Sequence, residues 1–146
     1  MADDPVRLIW SLAGSGEGVT LTASGNSGSW SSSNPNAKSP VDLRWVDDVW
    51  MSVSVAGASG TTPTLKVNLN AFDDQGNLFG GGASPLLVAP ASGSITGAGQ
   101  TVVFGGRHGG SGGSYFVLPE WGQVSWTLGG TSPSFTGVEI ALYGRG

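Results

Sequence analysis

The chain has 146 residues, of which 26 are glycine, 8 are proline and none is cysteine; only 11% are charged, and six basic side chains against ten acidic ones leave a net charge of -4. A length near 150 residues suits one domain with a true core, while this much glycine and proline argues against a helical fold. Too few Lys and Arg are present to neutralise a phosphate backbone, which excludes a nucleic-acid binder, and without cysteine there is no disulfide, thiol nucleophile or thiolate metal site.

The opening "MADDPVRLIW" is acidic and lacks the basic segment and apolar run of a signal peptide. No stretch approaches the roughly 18 apolar residues of a membrane span. Synthesis in a cytoplasm, with no membrane partner, is the expectation. Residues 1–5 are expected to form an extended arm on a single domain covering 1–146. Period-two alternation then marks strands at Val6–Leu12, Val19–Ala23 and Val41–Val46. Trp10 is in phase with Leu8 and Leu12, and Trp45 with Val41 and Leu43, which assigns both rings to the core. Between these strands, Ala23 to Pro40 is a long polar loop with one aromatic, Trp30, in its middle.

"VWMSVSV", Val49 to Val55, puts Val49, Met51, Val53 and Val55 on one face and Trp50, Ser52 and Ser54 on the other. Just before it, Asp47 and Asp48 could be read as a general acid and base. Adjacent residues point apart, however, and Arg44 nearby fits solvated or paired surface charge better. "AGASGTTP", Ala56 to Pro63, has the composition of a hairpin connection. The strand Thr64–Phe72 follows, with Leu65, Val67, Leu69 and Ala71 inward and Lys66, Asn68 and Asn70 outward. "DDQGN", Asp73 to Asn77, reads as a turn into Leu78 and Phe79. It lacks the alternating carboxylates and distant Glu of a calcium loop.

Beyond the glycine-rich "FGGGASP", strands are expected at Pro85–Val88 and Gln100–Phe104. "GGRHGGSGGS", Gly105 to Ser114, has linker composition. It lacks the Gly-Lys-Ser/Thr ending of a phosphate loop, and its His108, the sole histidine, is better suited to solvent or an interface than to catalysis. Tyr115–Leu118, Gln123–Leu128 and Gly137–Tyr143 complete eight to ten strands, with Trp126 in phase with Val124 and Leu128 and with "GGTSPSF" joining the last two as a turn. No internal repeat of fixed period stands out.

This pattern specifies an all-β fold: a two-sheet antiparallel β-sandwich of the jelly-roll kind with long Gly/Ser-rich loops. With no Gly-x-Ser-x-Gly elbow and one isolated histidine, neither an enzyme nor a bound cofactor or metal is expected. The candidate functional residues are surface ones. Trp50 lies out of phase with its strand's apolar face, and Trp30 and Trp121 lie in loop-like sequence; Arg107, His108, Tyr143 and Arg145 join them as candidate interface residues.

The segments "VDDVWMSVSVAGASGTTPTLKVNLNAFDDQGNLF" and "LPEWGQVSWTLGGTSPSFTGVEIALYGR" resemble the jelly-roll cement, or decoration, proteins of tailed bacteriophage capsids. That resemblance implies a non-enzymatic virion protein on the capsid surface, made in the host cytoplasm. It implies a homotrimer that binds the major capsid protein and holds neighbouring subunits together. A tail or baseplate component, or a carbohydrate-binding sandwich using Trp30, Trp50 and Trp121, are the alternatives.

Overall fold

A computed structural model describes residues 5–12, 18–27, 41–72, 85–106 and 121–146. The expected strand at Tyr115–Leu118, the "DDQGN" turn into Leu78 and Phe79, the start of the N-terminal arm, and most of the long polar and glycine-rich loops lie outside the described residues. Among those described, nine strands occur and no helix: β1 (Arg7–Ser11), β2 (Val19–Leu21), β3 (Gly25–Asn26), β4 (Val41–Asp42), β5 (Asp48–Val55), β6 (Gly57–Phe72), β7 (Leu87–Ala89), β8 (Gly99–Gly106) and β9 (Trp121–Arg145). Every pairing is antiparallel.

The organising element is a single two-stranded ribbon. β5 pairs with the second half of β9 from Asp48↔Arg145 to Ser54↔Glu139. After one intervening residue, Ala56, β6 pairs with the first half from Gly57↔Thr136 to Phe72↔Trp121. A strand of 25 residues would span about 80 Å if straight, far longer than a chain of this size is wide, since its radius of gyration is roughly 15 Å. The ribbon therefore bends, and its halves become the centres of two sheets. In the first, β1, β9, β5 and β8 lie side by side. In the second, the short β2, β3 and β4 succeed one another along one edge of β9, with β6 and then β7 on the other side.

The bend falls where β5 gives way to β6. Gly137 takes φ +58° there, and a Cβ on it would sit 2.5 Å from the Cβ of Ala56. Only glycine adopts this conformation without strain and leaves room for the other strand of the ribbon. The Ala56 amide still donates to the Thr136 carbonyl at 2.9 Å, so the pairing continues around the corner.

This arrangement corrects two expectations. "AGASGTTP" and "GGTSPSF" do not each close a hairpin; they pair with one another, Ala58 opposite Phe135, Thr61 opposite Thr131 and Thr64 opposite Gly129. The two stretches also echo each other, "GTTPTL" at 60–65 and "GTSPSF" at 130–135. Because they run antiparallel, the echo produces a local two-fold arrangement: Gly60 (φ +108°) packs on the Ser132 carbonyl, and Gly130 (φ +100°) on that of Thr62, each leaving 2.5 Å for a Cβ. Thr62 and Ser132 themselves adopt φ +46° and +48°. Turn-forming residues here serve paired bulges in a ribbon.

Between the sheets lies the expected core. Val49, Met51 and Val53 of β5, Leu65, Val67 and Leu69 of β6, and Val124, Phe135, Ile140 and Leu142 of β9 are fully buried. The alternation in β5 and β6 is as the sequence indicates. Trp126 is buried and Trp10 half-buried, with their rings stacked at 6.4 Å and 23°. Trp45 departs from expectation: the residue is 40% exposed. Pairing on this segment stops at Asp42, and the Val46 amide donates to the Leu43 carbonyl. That turn breaks the two-residue period and carries Trp45 outward, beneath the Arg7 guanidinium at 5.8 Å.

Candidate functional site

The two sheets present outer faces of opposite character. On the second, β6 and β9 display Lys66, Asn68, Asn70, Gln123, Ser125 and Thr127, consistent with their alternation against buried Leu65, Val67, Leu69 and Val124. The Asn70 amide donates to Ser125 Oγ at 3.0 Å and to Gln123 Oε1 at 3.5 Å. That face is polar, built of amides and hydroxyls with one lysine.

The first sheet's outer face is different. Ile140 and Leu142 point inward, so Glu139, Ala141, Tyr143 and Arg145 point out along β9. Registers on either side extend the Tyr143 position across all four strands: Leu8 opposite Tyr143, Tyr143 opposite Trp50, and Trp50 opposite Phe104. Leu8 is 55% exposed, Phe104 43% and Tyr143 37%, and Val102 in the adjacent row is 53% exposed. The next row is low: Ser11, Ala141 and Ser52, ending at Val102. The face is thus a step, a ridge of Leu8, Tyr143, Trp50 and Phe104 beside a lower strip at Ala141 and Ser52, where the Gln100 amide donates to Ser52 Oγ at 3.1 Å and Val102 closes the β8 end.

Arg145 closes the ridge end. Its guanidinium lies 5.4 Å over the Trp50 ring and donates to Asp48 Oδ2 at 3.1 Å. Asp48 is buried and Arg145 about one-third exposed. The pair cancels charge at the sheet's end and keeps the guanidinium over the indole within cation–π distance. The Asp48 carboxylate is thus paired, as the sequence indicated, though with Arg145 and not with Arg44, and it is buried.

Of the residues singled out from sequence, Trp50, Tyr143 and Arg145 come together on this face. Trp121 does not: it starts β9 in the second sheet, opposite Asp42, with the Arg44 guanidinium 4.7 Å over its ring. Arg44 also grips Asp42 through three hydrogen bonds, side-chain Nε to Oδ1 at 3.0 Å and Nη2 to Oδ2 at 2.8 Å, and its backbone amide to Oδ1 at 3.0 Å. Those bonds hold the Asp42 carboxyl below its ordinary value of 3.8. Trp30, Arg107 and His108 lie outside the described residues. Val102 and Phe104 were missed from sequence; their signal was apolar residues on both faces of one strand, "TVVF" (101–104), where a half-buried strand would carry polar residues outward. Leu8 corrects an expectation: read as sharing the core face with Trp10, it is 55% exposed, because a bulge between Leu8 and Trp10 breaks the two-residue period. Among the described residues no group of three or more His, Asp or Glu side chains is arranged to hold a metal.

No protein-family model matches the sequence, and no curated protein does. Among solved structures, the chain is similar to one of infectious bursal disease virus, Gx strain, at 11% identity with a TM-score of 0.46, covering 99% of this chain and 34% of that chain. It is similar also to the crystal structure of the VP2 subviral particle of infectious bursal disease virus, at 10% identity with a TM-score of 0.46, covering 99% of this chain and 31% of that one. This chain thus spans about a third of the length of the chains it matches, and likeness at this level decides neither family nor function.

Proposed function

We propose that the chain is a non-enzymatic structural component of a virion, a cement or decoration protein of the kind its sequence resembles. On this reading it sits on the outer capsid surface as an oligomer, a trimer by that resemblance, and stabilises contacts between major capsid subunits. The observation that carries the reading is the first sheet's outer face. A contiguous apolar row across four strands, set against a polar face on the other sheet, has the character of an interaction surface, and here it accompanies a chain with few charges to keep copies apart. Several weak footprints on one oligomer would bind a shell with high effective concentration, so no footprint need be strong.

The carbohydrate-binding alternative has less support, because Trp50 and Trp121 lie on different sheets and share no platform. The test is binding of the purified protein to capsid shells of its source virus, with copy number in virions measured by mass spectrometry. Saturable binding to expanded but not immature shells, at hundreds of copies per particle, is expected. A few dozen copies or fewer would place the protein in the tail, and no shell affinity would refute the reading.

A further inference from the structure

From the stepped face of the first sheet we infer that two copies of this chain pair through it, face to face about a two-fold axis. The inference builds on the oligomeric part of the proposed function and goes beyond it by naming the surface and its symmetry. Its basis is that the face is self-complementary. Along β9 the outward residues run Glu139, Ala141, Tyr143, Arg145, an acid at one end, a base at the other, and a small and a large side chain between. A two-fold axis through the level of Leu142 exchanges 139 with 145 and 141 with 143. It therefore sets Tyr143 of each copy over Ala141 of the other, and Glu139 of each near Arg145 of the other. This is the reciprocity an isologous contact requires.

The neighbouring strands obey the same exchange. The ridge residue Trp50 on β5 is two positions from Ser52, and Phe104 on β8 two from Val102. On β9 and β5 the rotation thus lays one copy's large side chains over the other's small ones, and on β8 it sets Phe104 against the exposed Val102, an apolar contact. Arg145 donates through Nη2 to Asp48, and a guanidinium has five N–H donors, so the same group can serve a second carboxylate.

Size sets the expected strength. Four strands at about 4.8 Å spacing, by six residues at about 3.3 Å, give a patch roughly 20 Å square, some 400 Å² in flat projection. Over both copies that is about 800 Å², below the roughly 1,200–2,000 Å² of stable specific interfaces and in the range of weak encounters, suited to a reversible pair that becomes firm when copies are held side by side on a shell. A cyclic trimer uses a different, head-to-tail contact, so a two-fold contact would link trimers in pairs where both exist.

Sedimentation velocity over a concentration series tests this. The wild-type chain should show a concentration-dependent dimer, or an even-numbered assembly. Glu139→Lys, which faces Arg145 of the other copy with like charge, and Ala141→Trp, which fills the lower strip, should each weaken it at least about tenfold. Both positions point outward, so thermal melting of the variants should match wild type, and Thr127→Lys on the opposite sheet should leave association unchanged. A strictly monomeric wild type, association that survives both face variants, or a saturable polysaccharide complex that quenches Trp50 would overturn the inference. Shell binding is scored separately: shells that take up a monomeric wild-type chain would leave the proposed function standing while this pairing falls.

Discussion

Replacing Gly137 by alanine probes the corner on which both sheets depend. Two costs add. A non-glycine residue at φ +58° is strained by roughly 1–2 kcal/mol, and the new Cβ would lie 2.5 Å from the Cβ of Ala56. A methyl on backbone cannot swing aside, so the ribbon must shift, at about 1–3 kcal/mol for an overpacked site. The sum, about 2–5 kcal/mol, corresponds to a fall in melting temperature of roughly 5–15 °C for a domain of this length. The second cost depends on Ala56 and the first does not, so a double-mutant cycle separates them. Ala56→Gly alone should cost under about 1 kcal/mol. Combined with Gly137→Ala, it should restore at least about 1 kcal/mol of what the single change loses, read by urea denaturation of all four proteins. Additivity within about 0.5 kcal/mol would refute the reasoning, for it would mean that the two strands do not meet at this corner.

Phe135 is the largest fully buried side chain among the described residues and anchors the paired "GTSPSF" stretch between Leu21 and Ala58 on the flanking strands; Phe135→Ala should cost about 3–5 kcal/mol in denaturant unfolding. The Trp10–Trp126 stack should give a coupled-indole band in the far-ultraviolet circular dichroism that disappears with either Trp10→Leu or Trp126→Leu and persists in Trp50→Leu. Because Arg44 lowers the Asp42 carboxyl below 3.8 in the folded state, their pairing adds stability that is fully present above the unfolded value and lost as the pH falls through the folded one. Both side chains are more than one-third exposed, so Asp42→Asn should cost less than about 1 kcal/mol at neutral pH. The difference from wild type should vanish in melts taken well below pH 3.8.

By itself the sequence determined the class of fold and the inward face of its best strands. In "VWMSVSV" and "TLKVNLNAF" the two-residue period reports local backbone geometry, which needs no knowledge of neighbours, and the residues marked inward there whose burial is described are buried. It also marked Trp50, Tyr143 and Arg145 as surface residues, since each is out of phase with buried neighbours. Pairing was not legible. "AGASGTTP" and "GGTSPSF" carry the residues of local turns, yet they lie some 70 positions apart and meet only because one ribbon runs through both sheets. The sequence records their φ preferences, not their partner. Trp45 was misassigned for a related reason: the turn at Leu43–Val46 shifts the phase of the pattern after Asp42. The ridge of Leu8, Tyr143, Trp50 and Phe104 is also a product of tertiary structure. Its members come from four strands, and a slip of one residue in any register would turn that strand's contribution into the core.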